Sequence, residues 1–410
     1  MKKLLTLTAL LACGLGEITP VIADNDKSID SHSEHAFSLA VYGDSPYGCK
    51  AGECPIDQPD IRPDTAKGPN PGDPRQIEAT PAFIKAINAD PKVRFVMHVG
   101  DIHSGSQYCT LAYNRTISDL WKQFTDPLVY TPGDNEWADC QKSKEGGNVN
   151  DSGNYVDYAN GNPVANLALI RSMFFPNPGE TLGGQKKHVI SQAQVYDPAH
   201  PKDAEYVENV RWEQSGVLFV TLNIPGGSNN DDDKWYGANK TGEQIQEVAQ
   251  RTAADIRWLE AAFEHAQEDG LKAIVIAEQA DMWDLDGTDP LANHIANYKP
   301  FIDSIASHAT TFGKPVLLIN GDSHSYRSDN PLVNNAPCVV ETGGVETACG
   351  INNDNYDNQP HGYNVTNFHR IVVHGAYFPL EYLRLTIEPR VNYPESDSAF
   401  GPFSWDRVNP

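Results

Sequence analysis

Phe95-Val96-Met97-His98-Val99-Gly100-Asp101-Ile102-His103-Ser104-Gly105 is the stretch on which the fold of this chain turns. A short apolar run ends in Gly-Asp and passes into a polar turn closed by glycine. Such a run, bounded by a turn, reads as a strand buried on both faces, the kind found in parallel sheets. In open α/β sheets the chemistry gathers just beyond the carboxyl ends of the strands. Asp101 is therefore predicted at a strand tip, aimed at a crevice.

A single Gly-Asp is an ordinary solvated turn, but here the arrangement recurs. Phe37 to Tyr42 runs into Gly43-Asp44-Ser45-Pro46, and Leu128 to Pro132 runs into Gly133-Asp134-Asn135-Glu136-Trp137. Val316 to Asn320 runs into Gly321-Asp322-Ser323-His324, and Ala273 to Ala277 ends at Glu278-Gln279. The glycines permit tight turns and close backbone approach. Several oxygen donors suit hard divalent cations, and imidazole suits transition metals. A carboxylate such as Asp101 can bridge two cations. Two ions about 3.5–4 Å apart can clamp a phosphoryl group and activate water near neutral pH. Attack on phosphorus would then be in line.

Working outward, the strands alternate with helical patterns. Thr80 to Asn88 reads as a helix capped by Thr80, with Pro81 in its first turn. Ile117 to Phe124, Asn166 to Phe175 and Pro300 to Ala309 are predicted as further helices. Thr241 to Gln267 carries the clearest helical stripe, from Ile245 to Phe263, and Gly270 stops it. Ser191 to Val207 reads as short strands, and Gly216 to Ile224, Arg370 to Val373 and Tyr382 to Ile387 as strands. Recurring strand–helix–strand units argue for α/β. Asp231-Asp232-Asp233 reads as a solvated loop. Tyr47 to Asp73 and Cys140 to Asn162 read as loops that would shape a pocket rim.

The 410 residues would allow two or three domains. The motifs span Asp44 to His324, so one large domain over 37–390 with loop insertions is the economical reading, followed by a tail at 391–410. Residues 1–23 read as a signal peptide: a basic start at Lys2-Lys3, an apolar stretch from Leu4 to Leu15, and small-residue cleavage after Ala23. Leu10-Leu11-Ala12-Cys13 also matches a bacterial lipoprotein box, which leaves a lipid anchor at Cys13 as the alternative. Residues 24–36 read as disordered. No other stretch is long and apolar enough to cross a membrane. The chain is thus expected to be exported, periplasmic or secreted. The net charge of −24 opposes nucleic-acid or anionic-membrane binding through a general field, but not a small phosphorylated substrate. Beyond Cys13, six cysteines suggest disulfides, with fifteen possible pairings. Sequence proximity favours Cys49–Cys54 and Cys338–Cys349, leaving Cys109–Cys140.

The order of these motifs resembles the calcineurin-like metallophosphoesterases, which include the purple acid phosphatases. Gly43-Asp44-Ser45-Pro46-Tyr47, Thr131 to Trp137 and Gln279-Ala280 resemble a group of exported members more closely. The resemblance implies an αββα sandwich of two mixed sheets with flanking helices, a dinuclear metal centre, and hydrolysis of phosphoric esters. It places one metal on Asp44, Asp101 and His324, and the other on Asp101, Asp134, Gln279 and Asp322, with Glu278 the alternative to Gln279 for the family's lone motif histidine.

The chain departs from the family pattern at several points. Pro46 stands where the first motif has a ligand histidine. Ser104 stands where purple enzymes have tyrosine, so no tyrosinate-to-iron colour is expected. Asp134 replaces a ligand asparagine, and Asn135 replaces the histidine that assists the leaving group. Asp322 replaces one of the two final histidines. This oxygen-rich set favours Mn, Mg or Ca over Fe or Zn. Candidate catalytic residues are Asn135, His103 and Glu136. Asn135 cannot give a proton at neutral pH. His103 could act as an acid or replace the lost ligand, against hydrogen bonding within its own loop. Glu136 is expected to orient the third loop, with Trp137 packed beneath it, and His98 is expected in the core. Arg171 and Arg327 are candidate contacts to a substrate anion. The alternative reading is an exported metal- or ligand-binding protein that has lost turnover.

Overall fold

The computed structural model describes residues 35–48, 76–105, 107–142, 157–231, 234–237, 239–284, 294–342, 344–349 and 362–410. The predicted signal peptide, Cys13, Cys49, Cys54 and most of the two rim loops lie outside the described residues.

Two sheets stack face to face. The first contains β1 (Phe37–Tyr42), β2 (Val93–His98), β3 (Pro127–Tyr130) and β4 (Leu182–Gly183). The second contains β5 (Ile190–Ser191), β6 (Val210–Gln214), β7 (Val217–Thr221), β8 (Ala273–Ala277) and β9 (Val316–Asn320). It also takes β10 (Arg327–Asp329), β11 (Val339–Thr342), β12 (Val345–Ala348) and β13 (Phe368–Val372). The first sheet is completed by β14 (Tyr382–Ile387), β15 (Ala399–Phe400) and β16 (Phe403–Val408). Their orders are β15-β16-β14-β1-β2-β3-β4 and β12-β11-β10-β13-β9-β8-β7-β6-β5. Both are mixed: β1, β2 and β3 run parallel, as do β7, β8, β9 and β13, and the remaining pairings are antiparallel.

The apolar runs read from sequence are buried on both faces, which explains why they carry no alternation. Leu39, Val41, Phe95 and Met97 meet Phe219, Val275, Leu317 and Ile319 between the sheets. On the outer side of the first sheet, Ala40, Val96 and Leu128 pack under α1 (Gln76–Ala89), α2 (Leu111–Trp121) and α3 (Pro163–Phe174). On the outer side of the second, Leu218, Ile276 and Leu318 pack under α5 (Gly242–Glu268) and α6 (His294–Phe312). The architecture is the αββα sandwich.

The long helix starts as predicted, with Thr241 accepting the Gln244 N–H at its N-cap. The first begins a turn earlier than predicted. Thr80 lies inside it and donates to the Gln76 carbonyl, because Gln76 and Ile77 are themselves buried. Residues 391–410, read as a tail, contain β15 and β16. Phe403 and Trp405 on β16 are buried against the inter-sheet core, which holds that strand to β14. The Ser191 to Val207 stretch is mostly 3-10 turns, with strand only at its start. Disulfides join Cys109 to Cys140 and Cys338 to Cys349. The first ties the loops after β2 and β3. Closing a loop of 31 residues contributes on the order of 3–4 kcal/mol through the unfolded chain.

Candidate metal centre

Parallel register brings the motif acids together. Tyr42 pairs with His98, and His98 with Tyr130, so the Gly-Asp turns after β1, β2 and β3 end side by side. In the second sheet Ala277 pairs with Ile319, which aligns Gln279 with the turn after β9. Thr131 Oγ1 donates to the Leu222 carbonyl at 2.8 Å and bridges the two sheets at this end.

The carboxylates approach through space that only glycine leaves. A methyl on Gly133 would lie 2.0 Å from Asp101 Oδ1, and one on Gly321 would lie 2.3 Å from Asp44 Oδ2. Asp44, Asp101, Asp322 and His324 all sit at positive φ, between 48° and 76°. Non-glycine residues held there carry roughly 1–3 kcal/mol of strain each, a pattern that clusters at functional sites.

Two groups of donor atoms result, each within 4.8 Å of one another: Asp44, Asp101 and His324, and Asp101, Asp134 and Asp322. Asp101 belongs to both. Asp44 Oδ1 accepts the Asp322 N–H at 2.9 Å and lies 3.6 Å from His324 Nε2. Asp44 Oδ2 is buried and meets no hydrogen-bond donor among the described residues. Burial pushes the Asp44, Asp101 and Asp322 carboxyls well above the usual range, and the nearby charge of Asp134 pushes each further. Buried acids with an orphaned oxygen and a histidine at their edge form a donor set that fits hard divalent cations.

Gln279 joins the acids differently from the expectation of a ligand oxygen. Its Oε1 accepts the Gly226 N–H at 2.6 Å, so its Nε2 faces inward and donates to Asp101 Oδ2 and Asp322 Oδ1, both at 3.1 Å. Because a backbone N–H can only donate, this amide orientation is set by its partner. Asn135 donates its backbone N–H to Asp101 Oδ1 at 3.3 Å and its Nδ2 to Asp101 Oδ2 at 3.0 Å. Glu136 Oε1 accepts from Tyr130 Oη at 2.5 Å and from the Gly133 N–H at 2.7 Å, which orients the third loop. Trp137 is buried behind it.

Other sequence candidates lie elsewhere. His103 belongs to neither donor group. It is fully buried against Tyr113, and its Nδ1 bonds the Ser104 carbonyl at 3.0 Å. Burial pushes it down to about 4, so it stays neutral. His98 accepts the Gly100 N–H at Nδ1, which leaves Nε2–H to donate to the Ser45 carbonyl. Arg171 is held by Glu208 at 2.6 and 2.9 Å, and Arg327 lies 3.6 Å from Asp329. Each arginine thus has an acidic partner within the chain. Sequence reading missed Gly226, whose added methyl would lie 2.7 Å from Asp322 Oδ1 and 2.9 Å from Asp134 Oδ2. It heads the left-handed turn α4 (Gly226–Asn230), where the Gly-Gly-Ser-Asn-Asn run was the available signal.

The family model for calcineurin-like phosphoesterases matches residues 35–275. The chain belongs to this family. Among solved structures, this calcineurin-like phosphoesterase is similar to a purple acid phosphatase from yellow lupin (Lupinus luteus) seeds. The two are 11% identical with a TM-score of 0.38, over 87% of this chain and 50% of that one. No curated protein matches this phosphoesterase.

Proposed function

We propose that the protein is a metal-dependent phosphoric ester hydrolase of the cell envelope, acting on a small phosphorylated substrate with two divalent ions. The observation that carries this reading is the pair of donor groups that share Asp101. Asp44, Asp101 and His324 would hold one ion, and Asp101, Asp134 and Asp322 the other, with Mn, Mg or Ca favoured by so many oxygens. Bound ions there would supply Lewis acidity toward phosphorus and lower the pKa of an attacking water.

The chain's own residues fix the donors. Asn135 holds both oxygens of Asp101 from one side, and the Gln279 amide holds Asp101 and Asp322 from the other. Glu136 keeps the Gly133 turn close enough for Asp101 to pass. Asn135 has no proton to give, so the leaving oxygen takes its proton from solvent, and esters of acidic alcohols are the better substrates. That same lack favours the second reading, an exported metal-binding protein without turnover.

The test is metal analysis of the exported protein together with hydrolysis of a bis-aryl phosphodiester and an aryl phosphomonoester, under added Mn, Mg, Ca and Zn. Metal-dependent turnover that vanishes in Asp101→Asn is expected. Stoichiometric metal without turnover selects the second reading, and a protein that binds no metal sinks both.

A further inference from the structure

Pro46 removes the ligand that the first motif would otherwise supply, and Ser104 removes the tyrosine that the second could supply. The geometry points to Tyr47 as the replacement: we propose that its phenolic oxygen is a ligand of the cation held by Asp44, Asp101 and His324. This inference rests on the proposed metal centre.

Tyr47 Oη lies 3.2 Å from His324 Nε2, which in turn lies 3.6 Å from Asp44 Oδ1. Two donors each about 2.1 Å from one cation, at roughly 90–110°, are about 3.0–3.4 Å apart. The first spacing falls within that range and the second just outside it. Tyr47 is only 3% exposed, and its ring stands edge-on to His324 at 5.8 Å between centroids.

The backbone around Tyr47 is held from four directions. The His98 imidazole donates to the Ser45 carbonyl at 2.7 Å, and the Tyr113 hydroxyl donates to the Pro46 carbonyl at 2.6 Å. The Tyr47 N–H donates to Gln76 Oε1 at 2.7 Å, and the Gly48 N–H to Gln107 Oε1 at 2.8 Å. Gln76, His98 and Gln107 are wholly buried. The turn is itself buried, so its backbone N–H and C=O groups need partners, and three of the four come from these buried side chains. The same hydrogen bonds fix the position and orientation from which Tyr47 would act as a ligand. The buried His98 thereby acquires a positioning role, since it holds the turn that presents Tyr47.

Coordination exchanges one bond for another without redox change. The phenolic O–H breaks, its proton passes to solvent, and the oxygen binds the cation. Trivalent iron is the probe, since phenolate bound to it absorbs visible light. The full chain is loaded with iron(III), freed of excess, and its iron content and visible spectrum are measured. Stoichiometric iron with a visible band is expected in the wild type. In Tyr47→Phe the band is lost while bound iron is retained, and in Tyr377→Phe, whose ring also faces His324 at 5.9 Å, the band persists.

Resonance Raman excitation within the wild-type band needs no variant, and enhanced tyrosinate modes are expected. Colourless stoichiometric iron, a band unchanged in Tyr47→Phe, a band lost in Tyr377→Phe, or a Raman spectrum without tyrosinate modes each overturns the assignment while leaving the metal centre standing. Failure to bind iron or any other cation overturns the centre and this inference together.

Discussion

Two clusters of buried acids lie side by side, and their surroundings differ. In one, Asp281 and Asp329 flank Arg370. The guanidinium donates to Asp281 Oδ1 at 2.5 Å and to both oxygens of Asp329 at 2.7 and 2.8 Å. Burial pushes Asp329 upward, yet the charge and hydrogen bonds of Arg370 hold it below the usual carboxylate range. In the other, the groups bearing most strongly on Asp101 after burial are Asp134, Glu136, Asp44 and Asp322, all of them acids. The clusters touch, since the Asp281 N–H donates to Asp322 Oδ2 at 3.0 Å. One fold has therefore buried two sets of carboxylates within a hydrogen bond of each other, and the first is built around the Arg370 guanidinium. The second set supplies the donor groups on which the proposed metal centre rests.

The largest effect is expected from removing the shared acid. Asp101→Asn should release metal and forfeit several kcal/mol of transition-state stabilisation. That is on the order of 10³- to 10⁴-fold in turnover. Retained metal with retained turnover would show that Asp101 is not shared. The converse experiment removes the internal cation. Arg370→Met leaves buried Asp281 without its guanidinium and Asp329 with only Arg327, 3.6 Å away, and breaking such a pair destabilises by roughly 3–5 kcal/mol. Denaturant unfolding reads this directly. A loss under about 1 kcal/mol would mean that the first cluster does not depend on the Arg370 guanidinium after all.

A smaller effect is expected at Gln279, which stands between an ordinary ligand and a spacer. Its amide donates to both Asp101 and Asp322, so Gln279→Ala removes two donors without removing a carboxylate. Loss of support of this kind weakens metal binding by about 10–100-fold. Calorimetric titration with Mn distinguishes this from complete loss, which would assign Gln279 as a ligand through its oxygen.

Much of the fold was legible because β8, β9 and the later parts of β1 and β2 are buried on both faces and so appear as short apolar runs. The placement of the acids followed, since a residue after a parallel strand has little choice of direction. The strands that escaped notice are short or alternate polar with apolar residues, and so show no apolar run. β10 to β12 are short and antiparallel, and β16 is fixed by pairing with β14. The inward turn of the Gln279 amide depends on a single N–H from Gly226, 53 residues away in the chain. The approach of Tyr47 to His324 spans 277 residues. His103 was placed near Asp101 by proximity in sequence, but its side chain turns toward Tyr113 and Ser104, which no spacing rule reveals.

The smallest expected effect lies in the pH dependence of stability with and without metal. In the metal-free fold Asp44, Asp101 and Asp322 are raised well above the usual range, chiefly by burial. An acid raised in the folded state binds more protons there than in the unfolded chain. Its contribution to stability is therefore largest at low pH and declines as pH climbs from the unfolded value toward the folded one. Other groups interfere at the edges of the range. His98 and His103, pushed down to about 4 by burial, favour the fold as pH rises toward their unfolded value near 6.5. Lys187, pushed down to about 8 by burial, enters above that. Asp157, pushed up to about 7 by burial, titrates below that value, so the window used is about pH 7 to 8. Within it the difference between metal-loaded and metal-free unfolding free energies cancels groups outside the site, and it should widen with pH. One proton held at the site would correspond to about 1.4 kcal/mol per pH unit, which sets the scale of the widening. The same widening should shrink in Asp101→Asn and persist in Arg370→Met, whose missing cation was never the exchangeable one. A difference that stays flat in the wild type would mean that the acids at the strand tips share no protons when metal is absent, and the contrast between the two clusters would then be one of packing alone.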